Sequence, residues 1–179
     1  SYFADGLENN AVPNYEFVIA KPRNEFTEQS LARLSQIFLK KADYAKAAPV
    51  LKRLEAEADY PQNITFAQSN LMKSYYEQKD YANAAVYAEK VLANAKTDDR
   101  VKSDAQVIVA RSAIKINDEA KAKTAYAKLQ TIAKGELAAE ALFYDAYFKN
   151  KDGKFEASNT AVQKLAKDYS GYKYFGAKG

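Results

Sequence analysis

KADYAKA (residues 41–47) is the stretch whose reading decides the fold. It returns as QKDYANA at 78–84, INDEAKA at 116–122 and DGKFEAS at 152–158. The anchors Tyr44, Tyr81, Glu119 and Phe155 stand 37, 38 and 36 residues apart. A period of this length belongs to helical repeats, in which one supersecondary unit recurs. The match extends outward. Three residues past the anchors stand Ala47, Ala84, Ala122 and Ser158, and ten past them Leu54, Val91, Leu129 and Leu165. Ten residues before stand Leu34, Leu71 and Val109. The fourth unit is brought into line by one extra residue in its turn, NKDGK at 150–154, which puts Tyr144 at the leucine position and Phe148 at the aromatic position.

Each unit reads as two helices, because apolar residues recur at three- and four-residue spacing. The first helices are expected over 27–41, 63–78, 99–116 and 136–149, the second over 44–57, 81–95, 119–134 and 155–168. The turns carry Asp43, Asp80, Asp118 and Asp152–Gly153. An aspartate just before a helix accepts its free amide hydrogens, so these acids are expected to cap rather than catalyse. The alanines allow close helix approach, and the aromatic residue fills the space beside the turn. A single hairpin cannot bury its apolar face, so the units are expected to stack.

Pro49, inside an expected helix, should remove a hydrogen bond and kink it. Pro13 lies 36 residues earlier in a matching AVP, with Ala11, Tyr15 and Val18 answering Ala47, Leu51 and Leu54. The N-terminal 20 residues therefore hold the second helix of an earlier unit, with YFADGLEN as a stub of its first. The boundaries are a partial repeat at 1–22, repeats at 23–60, 61–97, 98–134 and 135–170, and the start of a further, truncated repeat at 171–179. The whole chain, 1–179, is one array, expected to be a piece of a longer superhelix.

Composition removes whole classes of chemistry. The 179 residues contain no histidine and no cysteine. The usual general base near neutral pH is missing, with the commonest metal ligand and all thiolate chemistry. No metal and no cofactor is expected. The carboxylates of Asp98–Asp99, Glu55–Glu57 and Glu136–Glu140 read as helix surface, and 6 scattered glycines form no phosphate loop. The chain is expected not to be an enzyme. A net charge of +4 without a basic tract gives no nucleic-acid footprint. The tyrosines Tyr44, Tyr75, Tyr81 and Tyr126 sit at packing positions rather than on a stacking platform. No apolar run has the length of a membrane span, and the start carries no signal-peptide pattern.

The repeat resembles the tetratricopeptide repeat. The resemblance rests on Leu34, Ser35, Phe38, Ala47, Leu51 and Leu54 in the first full unit, and on Leu71, Met72, Tyr75, Ala84, Ala88 and Val91 in the second. The third carries Val109, Ala110, Ala113, Ala122, Tyr126 and Leu129. The family's tryptophan and glycine are absent, and the period exceeds the family's. The resemblance implies an all-α fold, a right-handed α–α superhelix of helix hairpins. In texture, FTEQSLARLSQIFLKKADYAKA and YSGYKYFGAKG resemble cell-envelope repeat proteins of the Bacteroidetes. That implies the periplasm or cell envelope, with the cytoplasm as the alternative.

In the family, first helices line a concave groove that holds a protein segment. Carried over by position, the groove residues are Gln29, Ala32, Gln36 and Lys40, then Phe66, Ser69, Lys73, Tyr76 and Glu77. Asp104, Val107, Arg111 and Lys115 follow, then Leu142, Ala146 and Lys149. Lys40, Lys73, Arg111, Lys115 and Lys149 would form a basic stripe and Phe66 and Tyr76 an apolar anchor beside it, together suiting an extended acidic or mixed peptide. The version that clamps a terminal carboxylate is not expected, because Ala32, Gln36 and Asp104 stand where it needs lysine and asparagine. A scaffold that binds a protein or peptide is therefore expected. The alternative is a structural spacer or self-association segment, its exposed apolar faces including Tyr172, Tyr174 and Phe175. The oligomeric state is not set by the sequence.

Overall fold

A computed structural model describes residues 2–153 and 155–168. Among the described residues the chain is all helix and turn, with nine helices and no strand. They are α1 (Tyr2–Ala20), α2 (Thr27–Lys40), α3 (Tyr44–Glu57), α4 (Pro61–Glu77), α5 (Tyr81–Ala93), α6 (Asp99–Lys115), α7 (Glu119–Ile132), α8 (Glu136–Lys151) and α9 (Phe155–Asp168). The contacts divide the chain into one unit up to Val101 and another from Lys102. In the first, α1 to α5 pack each on the next; in the second, α7 packs on α8 and α8 on α9. The result is an all-α, repeat-like fold.

The hairpin turns follow from backbone chemistry. Ala42, Lys79 and Asn117 lie at φ 54°, 60° and 59°, the left-handed region that costs any residue but glycine. That conformation closes each first helix. The Ala42 amide donates to the Leu39 carbonyl at 2.9 Å and the Asp43 amide to Phe38 at 2.8 Å. The same two bonds recur from Lys79 and Asp80 and from Asn117 and Asp118, and each pair satisfies carbonyls the helix end leaves free. The aspartate then opens the next helix. Its side chain accepts from the amide of Lys46 at 3.2 Å, Asn83 at 3.3 Å or Lys121 at 3.1 Å. Three of the four turn aspartates are caps.

Asp152 is not, and the reason corrects the register of the fourth unit. Gly153, at φ 80°, donates to Asn150 at 3.0 Å, the bond that Ala42 makes to Leu39. The turn has no extra residue. Asp152 thus stands where Lys41 does, and its carboxylate pairs with Lys123. In this register Leu142 and Ala146 fall where Leu31 and Ser35 fall in α2. All four are buried. Tyr144 is only half-buried at the edge of that core.

The repeat alanines Ala47, Ala84 and Ala122 are fully buried, and Ser158 satisfies its hydroxyl on the Ala146 carbonyl at 2.8 Å. Leu31, Leu34, Leu51, Leu54, Leu71, Met72 and Val91 form the core of the first unit. Each such side chain contributes about 1.5–3 kcal/mol by leaving water. Ala139, Leu142, Phe143, Ala146, Ala161 and Leu165 form a core in the second.

One expectation fails. Residues 2–20 are one helix, so YFADGLEN is the first part of α1 and not a separate stub. Pro49 does lie inside a helix, α3, which continues past it to Glu57. Pro49 and Ala45 are both exposed, so the carbonyl deprived of a donor faces water. The expected repeat beginning at 171 lies outside the described residues, as do Tyr172, Tyr174 and Phe175.

Candidate functional site

The first unit places two clefts at the ends of its hairpins opposite the Asp43 and Asp80 turns. The first holds about 950 Å³ and opens between α2, the segment before it and the start of α4. Gln29, Ala32 and Gln36, three of the expected groove residues, line it with Arg33 and Tyr60. The second holds about 610 Å³ between α4 and the α5–α6 connection. Phe66 and Ser69 line it with Lys96 and Thr97. One repeat of 37 carries Gln29 onto Phe66, Ala32 onto Ser69, Asp59 onto Lys96 and Tyr60 onto Thr97. The clefts are the same architectural position in successive units, lined by different side chains.

Charge in the first cleft is largely settled internally. Glu28 accepts from the amides of Asp59 at 3.0 Å and Tyr60 at 3.1 Å and from Asn63 Nδ2 at 2.8 Å. Burial alone would raise its pKa. The hydrogen bonds from Asn63, Asp59 and Tyr60 and the nearby Arg23 outweigh burial and hold it below the ordinary value of 4.5. Arg23 donates to Asp59 at 2.8 Å. Arg33 is exposed and has no ion pair among the described residues. In the second cleft Asp98 caps α6 by accepting from Val101 N at 2.9 Å, and the Lys96 ammonium has no ion pair among the described residues. Thr97 is 5% exposed, and its hydroxyl has no hydrogen-bond partner among the described residues.

The expected basic stripe is mostly neutralised. Lys40 pairs with Glu8 at 3.0 Å and Lys149 with Asp145 at 2.7 Å. Arg111 donates to Glu140 through Nε at 3.1 Å and Nη2 at 3.1 Å. Lys73 is exposed on α4, and Lys115 is exposed in the last turn of α6. Tyr76 is half-buried, edge-on to Tyr81 at 5.7 Å. Gln36, Lys40, Phe66, Lys73 and Tyr76 belong to the first unit, and Arg111, Lys115 and Lys149 to the second. Leu142 and Ala146 are core residues, not groove residues, for the register reason given above.

Glu140 also departs from its reading as helix surface. It is 7% exposed and accepts from the Tyr126 hydroxyl at 3.3 Å as well as from Arg111. Burial first, then the Glu140 charge, raises the Tyr126 pKa far above that of an ordinary phenol, so the ring stays protonated as a donor. Tyr126 stacks on Tyr144 at 4.3 Å. Beside this pair Phe143, Tyr147 and Phe148 line an apolar cleft of about 380 Å³ with Ile114. In the corrected register Tyr147 is the counterpart of Gln36, a position the sequence alignment missed because it was one residue out.

Among the described residues no group of acids is arranged to hold a metal ion, and no helix is long and apolar enough to cross a membrane. No family model matches the sequence, and no curated protein matches it.

Proposed function

We infer that this chain is a non-enzymatic, tetratricopeptide-like scaffold that holds a protein or peptide segment along the first helices of its hairpins. The observation that carries this reading is the first cleft. Gln29, Ala32 and Gln36, carried over by position from the tetratricopeptide resemblance, line one open volume of about 950 Å³. The polar lining favours a partner that brings hydrogen-bonding groups over one bound by apolar burial alone.

A photo-crosslinking amino acid at Gln36 tests it, with the exposed Glu89 position on α5 as control. A partner crosslinked at 36 and not at 89, then purified and rebound by the intact chain, is the expected result. Identical products at both positions, or none at 36, would refute the reading.

The spacer reading draws on bonds between successive units. Arg53 donates to the Ile19 carbonyl, Lys90 pairs with Glu55 at 3.0 Å, and Glu28 ties α2 to α4. These bonds stiffen an array whether or not it carries a ligand, and a failed crosslinking test would leave the spacer as the better account.

A further inference from the structure

We propose that the apolar cleft of the second unit binds an alkylated ammonium group, held against the Tyr147 ring with Glu119 as its counter-ion. This site is separate from the first cleft and does not rest on the proposed function.

The wall is aromatic and preformed. Phe143, Tyr144, Tyr147 and Phe148, all from α8, line the cleft. They pack edge to face in sequence, at 84° between Phe143 and Tyr144, 78° between Tyr144 and Tyr147, and 74° between Tyr147 and Phe148. Phe143 and Phe148 are buried, and Tyr144 is fixed by its stack on Tyr126, whose hydroxyl donates to the buried Glu140. Tyr147 is 45% exposed. The face of an aromatic ring carries negative partial charge and attracts a cation placed above it.

The charge points the same way. Glu119 is the one charged residue that lines the cleft among the described residues. The chain already sets a cation against this combination: the Lys151 ammonium pairs with Glu119 and stands 6.0 Å over the Tyr147 ring. Both members of that pair are about half exposed, so water screens it and an incoming cation displaces Lys151 at little cost.

The rest of the lining selects the kind of cation. Ala113, Ile114, Ala122, Phe143 and Phe148 offer no side-chain acceptor for the three N–H groups of a primary ammonium, so burying one there forfeits its hydration. Full alkylation removes those donors and leaves the charge, which a ring can stabilise. The volume, about 380 Å³, suits such a head group and lies within the roughly 300–1,000 Å³ of small-ligand sites.

The test is an NMR titration of the intact chain that follows the Tyr147 ring protons. The probes are choline and its neutral isostere, in which a tert-butyl group replaces the trimethylammonium. A peptide with one trimethyllysine and its unmodified lysine version form a second arm, which shows whether a free molecule or a protein side chain brings the group. Choline or the trimethyllysine peptide should bind about fivefold or more tightly than its own control. Tyr147→Leu, which keeps apolar bulk and removes the ring, should erase that preference. Lys151→Met should raise affinity for the preferred probe about threefold by removing the resident cation. A merely structural lysine would not yield that gain, and both substituted side chains are exposed, so the fold should survive, as thermal melts would show.

The proposal is overturned if neither cationic probe outbinds its control, if Tyr147→Leu leaves the preference intact, or if Lys151→Met leaves affinity unchanged or lowers it. A partner crosslinked at Gln36 in any of those cases would leave the proposed function standing and remove this inference alone.

Discussion

Glu28, in the first turn of α2, caps α4: its carboxylate accepts the Tyr60 amide at 3.1 Å and the Asn63 side chain at 2.8 Å. Helix α4 has no side-chain cap of its own and begins at Pro61, which lacks an amide hydrogen. The start of one hairpin is thus completed from the hairpin before it, and the floor of the first cleft is held by the same bond.

Glu28→Ala should lower the stability of the first unit by about 1–2 kcal/mol, read by urea denaturation. The sign of the pH effect follows from the lowered pKa of Glu28. Its contribution is fully present above the unfolded value, near 4.5, and is lost as pH falls through the folded value below that. Glu28→Gln should therefore flatten that part of the acid unfolding curve. An unchanged acid limb would show that Glu28 contributes nothing to it.

Arg111→Met should destabilise the second unit by about 2 kcal/mol or more, because it strands a buried Glu140 charge. Arg111→Met with Glu140→Gln should recover most of the loss, since no charge is then left unpaired. Near-UV circular dichroism of the stacked Tyr126–Tyr144 pair would report the local change. Additive losses in the double variant would show that the two side chains do not act together.

Ala42→Gly and Lys79→Gly should each raise stability by about 0.5–1 kcal/mol, as glycine removes the left-handed penalty at φ 54° and 60°. Asp43→Ala, one residue on, should cost about 1 kcal/mol by removing the cap on α3. Thermal melts of the three variants check both signs, and a loss of stability in Ala42→Gly would contradict the turn geometry.

Pro49→Ala should stabilise α3 by up to about 3 kcal/mol, restoring an amide donor in the helix interior. The helix is already continuous there, so the gain should appear in melting temperature with helicity nearly constant. A neutral result would mean that the exposed carbonyl loses nothing to water.

Most of the secondary structure was legible because its signals are local. Asp43, Asp80 and Asp118 announce helix starts through bonds to amides three residues away, and the three- and four-residue apolar spacing marks the faces that pack. The fourth hairpin was misaligned because its cue, DGK, differs from the others. Only the Gly153 bond to Asn150 shows that Leu142 and Ala146 lie inward. Gln36 and Phe66 were carried over as groove residues from the tetratricopeptide resemblance, whereas Arg33, Thr97 and Tyr147, which also line clefts, were not singled out, since no repeat pattern marks them.

What the sequence by itself determined is the series of helix hairpins, because capping, left-handed turns and apolar periodicity act within a few residues of one another. What only the tertiary structure decided is which charges are available. Lys40 and Arg111 look like Lys73 in a list of cations, yet they meet Glu8 and Glu140 on other helices, whereas the pair of Lys149 with Asp145 lies within one helix at i,i+4 spacing. Pairing between helices is a property of surfaces brought together by packing, and electrostatic attraction at a few ångströms depends on that distance rather than on separation along the chain.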